Sequence, residues 1–414
     1  DCAGTWGGNA IEDNCGNCDN NPDNDCTEDC AGTWGGNAIE DNCGNCVIEI
    51  VDCIYTPTTY TFESRYVDGE SSVFYSGQVV RNMLINAIKS HITDENVTTS
   101  SLNSLYINDD PTALYTDGTT SFHSISTSRL ENKISNETVI GYGVTPHHLM
   151  QTWFEAAESL NGNNIYNGVN IDQMVGKGLL GTVTYYQGVS VYLSDSKLDN
   201  ASNTQDCFYN ECNNYTPMEH YWDESFGYFG AARTYSIMTD EQRQSSGSGD
   251  YTIDVNFPWA KYASKRSGVA GDYDDLIINA YLEGRTLITN QAPLSEIKSQ
   301  RDIIVENWEK VVAASVLHYA NNIIELIEEN ESGFDCSTNS NCGEYWSKMA
   351  AFVISLQYNT HSNIADAELI TLHNLIGQLP PVSDENTDYH SSLNTLKAIF
   401  GSFFGWSNNE LDSF

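Results

Sequence analysis

Thiols and carboxylates dominate the first 53 residues, and both are spaced for chemistry. Cys2, Cys15, Cys18 and Cys26 recur as Cys30, Cys43, Cys46 and Cys53, and the word DCAGTWGGNAIEDNCGNC runs from Asp1 to Cys18 and again, without a difference, from Asp29 to Cys46. Repetition at a period of 28 residues predicts a tandem array, the end of a longer stalk. About 50 residues bury too little to hold a core unaided, so the eight thiols predict disulfides closed within each set. Cys207 with Cys212 and Cys336 with Cys342 are two more close pairs, so all 12 cysteines can pair locally, in an oxidising compartment. The competing chemistry is zinc at the two CxxC pairs, Cys15 to Cys18 and Cys43 to Cys46. A four-thiolate site built from them leaves the other two cysteines of each set unused.

The carboxylates suit a hard cation. Asp19, Asn21, Asp23 and Asp25 lie between Cys18 and Cys26, and Glu12 and Asp13, repeated as Glu40 and Asp41, add further oxygens. Calcium takes six to eight such ligands; the alternative is a solvated acidic linker. Twelve Asp and Glu precede Ile54 and no Lys or Arg precedes Arg65, so the segment repels itself unless cations offset it.

The elements that position the remaining residues begin after Cys53, which predicts domains of 1–53 and 54–414. Extended segments are expected at Thr58 to Glu63 and Ser72 to Tyr75, as a small hairpin. From Gln78 the apolar period is helical. In Arg301 to Glu328, Ile304, Trp308, Val311, Val312, Tyr319, Ile323 and Leu326 recur at spacings of three and four, with Ser315 in the same row. Asp172 to Leu193 predicts a helix in which Gly178, Gly181 and Gly188 admit a close partner. Further helices are expected at Gln78 to Ile92, Pro146 to Leu160, Asp272 to Asn290, Gly343 to Gln357, Asp366 to Gly377 and Ser391 to Phe404. The fold class is mainly α, a helical bundle with long loops behind a small disulfide-rich stalk.

A formal charge of −39 argues against nucleic acid and anionic membranes as partners. The 16 residues from Gly178 to Leu193 are too few and too polar to span a bilayer. Neither an initiator Met nor a signal peptide is present, so the chain is expected to start after processing or to be part of a longer one. No HExxH, GxSxG, P-loop or GxGxxG pattern occurs. The body holds all 24 Tyr, Tyr185, Tyr186 and Tyr215 among them; tyrosine-rich loops make contact surfaces, while many of these residues are expected in the core.

His220-Tyr-Trp-Asp-Glu-Ser-Phe-Gly-Tyr-Phe-Gly230, with Gly178 to Gln187 and Ile364 to Gly377, resembles bacterial surface and lipoprotein domains that are distantly imelysin-like, over roughly Thr58 to Phe414. The repeats resemble thrombospondin type 3-like modules. The imelysin resemblance implies iron acquisition through a GxHxxE motif, for which the nearest counterpart is Glu219 followed by His220 and Asp223. Met218 replaces the glycine. His220 and Asp223 could then present one nitrogen and one oxygen to a metal, with Glu224 or His318 as third ligand; the alternative is a structural histidine with an ion-paired aspartate. The expected function is a non-enzymatic domain, secreted or on a bacterial cell surface, serving adhesion, assembly or ligand capture, with other surface proteins, glycans or copies of itself as partners. Imelysin-like metal uptake is the alternative, and a metallohydrolase ranks lower.

Overall fold

Each copy of the repeated word folds into the same small hairpin. A computed structural model describes residues 1–40, 46–48, 55–204, 207–208, 211–330, 335–336, 338–381 and 386–414. In the first copy β1 (Ile11–Glu12) pairs antiparallel with β2 (Cys18–Asp19), and in the second β3 (Ile39–Glu40) pairs with β4 (Cys46–Val47) in the same register. Disulfides join Cys2 to Cys18, Cys15 to Cys26 and Cys30 to Cys46, so thiols that could have held zinc are oxidised. Cys43, Cys53 and Asp41 lie outside the described residues. This unit spans Asp1–Thr56, and a second spans Pro57–Phe414.

The second unit is helical. In place of the small hairpin expected from Thr58 to Glu63 and Ser72 to Tyr75, Glu63 and Ser71 form an isolated antiparallel bridge, with the Ser72 amide donating to the Phe62 carbonyl. The helices are α1 (Ser76–His91), α2 (Thr99–Ile107), α3 (Pro146–Leu160), α4 (Ile171–Leu179), α5 (Asp195–Asn200), α6 (Pro217–Phe229), α7 (Asp240–Gln244), α8 (Pro258–Arg266), α9 (Tyr273–Thr289), α10 (Leu294–Glu329), α11 (Ser340–Leu356), α12 (Asp366–Ile376), α13 (Asn386–Phe404) and α14 (Asn408–Ser413). Two further hairpins are β5 (Ile165–Tyr166) with β6 (Val169–Asn170) and β7 (Cys207–Phe208) with β8 (Glu211–Cys212); the latter places Cys207 opposite Cys212. Cys336 is bonded to Cys342 at the start of α11.

Helix starts follow from their caps. Thr145 accepts from the His148 amide ahead of Pro146, and Thr216 with Glu219 forms a reciprocal capping box ahead of Pro217. The 36-residue α10 lies between α9 and α11, and its Trp308 is fully buried with Trp222, Trp259 and Trp346. Asp274, in the first turn of α9, is buried against Arg243 at 2.9 Å.

One expectation is corrected. The helix predicted from Asp172 to Leu193 is α-helical only to Leu179, and Leu180–Tyr192 is wound as a π-helix. Outside donors take carbonyls that α-winding would use: Trp259 Nε1 donates to Leu180 O at 3.3 Å, the Ser135 amide to Thr182 O at 2.9 Å, and Ser225 Oγ to Gly188 O at 2.9 Å. The glycines do admit close partners, Gly181 against Ser355 of α11 and Gly188 against Trp308 of α10. Many of the tyrosines fill the core, as expected, Tyr185, Tyr228 and Tyr281 among them.

Candidate functional site

Helix α6 sorts its polar residues by the helical period of 3.6, which groups Glu219 with Asp223 and His220 with Glu224. Glu219 and Asp223 point inward and are wholly buried. Arg285 of α9, also wholly buried, donates from Nη1 to Glu219 Oε1 and from Nε to Asp223 Oδ1, both at 3.0 Å. Its Nη2 donates to Ser72 Oγ at 2.7 Å, Tyr60 donates to Asp223 Oδ1 at 2.8 Å, and Arg65 Nε lies 3.2 Å from Glu219. Two cations thus meet two carboxylates. Burial alone would raise the Glu219 carboxyl, but the Arg285 guanidinium, the Thr216 amide and Arg65 hold it below the usual range. For Asp223 burial wins and the carboxyl is pushed up, despite Arg285.

His220 lies on the flank of α6. Its ring stacks on Tyr215 at 4.7 Å, and Nε2 is 3.8 Å from Glu224 Oε1, which accepts from Gln78 Nε2 at 2.7 Å. The pairing of His220 with Asp223 on one cation is therefore corrected: Asp223 is committed to Arg285 and Tyr60, and Glu224 is the acid beside His220. His318 is elsewhere, its Nδ1 bound to the Phe414 carbonyl at 2.7 Å. Among the described residues, no three His, Cys, Asp or Glu side chains converge as metal ligands.

In the stalk the carboxylates brace loops. Asp13 Oδ1 accepts from the Cys15 and Asn17 amides at 2.9 and 2.7 Å, and Asp19 accepts from the Asn21 amide and Asn24 Nδ2, both at 2.7 Å. Glu12, Asn21, Asp23, Asp25 and Glu40 are exposed. Asp1 and Asp29, absent from the sequence-based candidates, fold their loops in the same way; Asp29 accepts from the Thr33 and Ala38 amides at 2.9 and 3.0 Å.

The arrangement that sequence reasoning missed is cationic. Lys177 of α4 lies within electrostatic reach of Lys348 of α11 and Lys265 of α8, and Lys261 of α8 within reach of Lys265, Lys177 and Lys89 of α1; with Arg266 of α8 these are six of the chain's 18 Lys and Arg. Two tyrosines anchor them: Lys177 Nζ is 5.1 Å from the Tyr262 ring centre, Lys348 Nζ is 5.2 Å from that of Tyr319, and Arg266 is 5.9 and 5.8 Å from the two. The two phenol oxygens are 3.2 Å apart. Gly176 makes room for the Lys89 stem, which a Cβ there would meet at 2.9 Å. Burial, then repulsion from Lys348 and Lys265, brings the Lys177 ammonium down to about 8. Burial, then Lys265, Lys177 and Lys89, does the same for Lys261, also to about 8. The carboxylates acting most strongly on Lys177 are Asp172, 3.5 Å from Lys89, and Glu344, paired with Lys348.

The chain matches the model of one family, the domain of unknown function DUF4856, over residues 159–386. The match covers more than half of the chain, which therefore belongs to that family. It spans α6 and Arg285 and every member of the cationic cluster except Lys89. No curated protein and no solved structure matches the chain.

Proposed function

We propose that this DUF4856 protein is a non-enzymatic binding protein of a bacterial exterior, displayed on disulfide-stapled repeats, whose helical body captures a compact multivalent anion. The observation that carries this reading is the cluster around Lys177. Bringing half-buried ammonium groups together costs desolvation and like-charge repulsion, and a bound oxyanion offsets both by accepting charge-assisted hydrogen bonds from several of them. In a chain of net charge −39, such a concentration of cations is not an average surface. The same net charge selects the ligand's size. A long polyanion would run from the cluster onto acidic surface, whereas a small polycarboxylate or phosphorylated compound stays within it.

Calorimetric titration of the full chain with citrate and with pyrophosphate tests the reading. Saturable binding that weakens with salt, and that falls about tenfold or more in a Lys177→Gln/Lys348→Gln variant, is expected. No saturable binding at low salt, or equal binding by the variant, overturns it.

The imelysin-like alternative, metal uptake, rests on the neighbouring His220 and Glu224 and not on Asp223. Titration with ferric citrate separates the two readings. Tighter binding than citrate alone, lost in His220→Ala, favours metal uptake; equal binding of both, lost only in the lysine variant, favours anion capture. Calcium on the stalk is proposed from composition, since 12 Asp and Glu there meet no Lys or Arg.

A further inference from the structure

The repeated word occurs twice in one chain with the same strand register, yet its two tryptophans live differently. Trp6 is completely exposed at 101%, whereas Trp34, its counterpart, is 46% exposed. The turns that carry them agree. Gly7 and Gly35 have φ of +73° and +69°, and the amides of Gly8 and Gly36 donate to the carbonyls of Thr5 and Thr33 at 3.2 and 3.1 Å. What differs is the neighbour. A Cβ on Gly35 would lie 2.7 Å from Cys15 Sγ and 3.9 Å from Cys26 Sγ, the second disulfide of the preceding copy, whereas a Cβ on Gly7 would meet nothing within 4 Å. The Gly35 amide donates to the Thr27 carbonyl at 2.9 Å, and Trp34 bridges Glu28, so the linker after Cys26 is paired to the turn as well.

We infer that the Thr-Trp-Gly-Gly turn is the docking element of this module, and that the Trp6 turn receives the second disulfide and following linker of another copy of the same repeat, placed before it in tandem. Glycine is required at the contact for two separable reasons, the positive φ and the close approach of sulfur. An array assembled this way has a fixed register, because each module seats on the disulfide of the one before it. The occupant is chosen by the contact already made at Trp34. A disulfide edge with an adjacent backbone acceptor fits that turn, as Cys15–Cys26 and the Thr27 carbonyl do at Gly35.

The test uses the full chain and a version extended at its N-terminus by one more copy of residues 1–28. Oxidation of individual tryptophans by N-bromosuccinimide, read by peptide mass spectrometry, should modify Trp6 several-fold faster than Trp34 in the original chain. In the extended chain Trp6 should slow to the rate of Trp34. Serine at both cysteines of the added copy's second disulfide should restore fast oxidation of Trp6. Gly35→Ala and Gly7→Ala provide a control inside the original chain, since both carry the same backbone strain and only the former strikes a disulfide. Gly35→Ala should raise Trp34 oxidation to the rate of Trp6, and Gly7→Ala should leave Trp34 unchanged. An extended chain in which Trp6 reacts as fast as before, or a Gly35→Ala variant in which Trp34 keeps its protection, overturns the inference.

Discussion

The body holds two groups of charged side chains built on opposite rules. Around Arg285, two cations meet two buried carboxylates, and the donors of the guanidinium are aimed at carboxylate, hydroxyl and threonine oxygens. Around Lys177, cations from α1, α4, α8 and α11 outnumber the carboxylates acting on that lysine, and the cover is partial: the Lys89 side chain is 33% exposed, that of Arg285 fully covered. A charge-balanced group has little to offer a ligand, although Asp223 Oδ2 is buried without a hydrogen-bond partner, and its work is to hold α6, α9 and the Tyr60 segment together. An unbalanced, half-covered group is an expense to the fold, and one that a bound anion would remove.

Removing Arg285 should have the largest effect. Arg285→Ala leaves Glu219 and Asp223 buried without their partner, and a loss of roughly 3–5 kcal/mol is expected in denaturant unfolding. A loss below about 1 kcal/mol would mean that the group is not the clamp its geometry describes. Lys177→Gln should do the reverse: anion affinity falls about tenfold, while stability without ligand stays within about 0.5 kcal/mol or rises. If the same substitution unfolds the domain, the contrast between the two groups fails.

The response to pH should be smaller and of predictable sign. Lys177 and Lys261 lie at about 8 in the fold against 10.5 for a free lysine, so the folded state disfavours their charged forms. Their cost to stability is present below about 8 and is relieved as pH rises from there toward 10.5. Anion affinity should move the other way, weakening as pH rises through about 8. A citrate affinity unchanged across that interval would break the assignment. Glu219, held low, should contribute stability above the ordinary carboxylate range that is lost as pH falls through its lowered value. The smallest effect concerns the stalk, an unbalanced group of the other sign. Chelation should raise protease cleavage between Cys18 and Glu28 and leave the melting of the body unchanged. Equal resistance with and without chelator would remove calcium from the account.

The helices were legible because their signals are local. Pro146 to Leu160 begins at a capping threonine with proline at the first turn and ends at Asn161 in the left-handed region, so both boundaries could be read. The π-winding after Leu179 was not, because its causes are Trp259, Ser135 and Ser225, which arrive from other parts of the chain. At the site, a spacing of three suggested His220 with Asp223, whereas the helix rotates 219 with 223 and 220 with 224. The cationic cluster needs four helices to meet, and along the chain only Lys261, Lys265 and Arg266 hint at it. The roles of Asp1 and Asp29 were hidden differently: an aspartate opening a Gly-rich loop reads as a metal ligand or as a loop brace with equal ease.

The order of the stalk bridges has a mechanical consequence. Cys2–Cys18 and Cys15–Cys26 overlap along the chain, so a pull from Cys2 to Cys26 crosses one disulfide, runs backwards over the three residues from Cys18 to Cys15, and leaves through the other. Without bridges the same stretch would lengthen to about 80 Å. With them, the load path is two spans of 5.8 and 6.1 Å joined by those three residues, which add about 10 Å. Tension cannot unravel such a module, however weak its non-covalent contacts, so its reach is set by sulfur and it behaves as a chain link, not a spring.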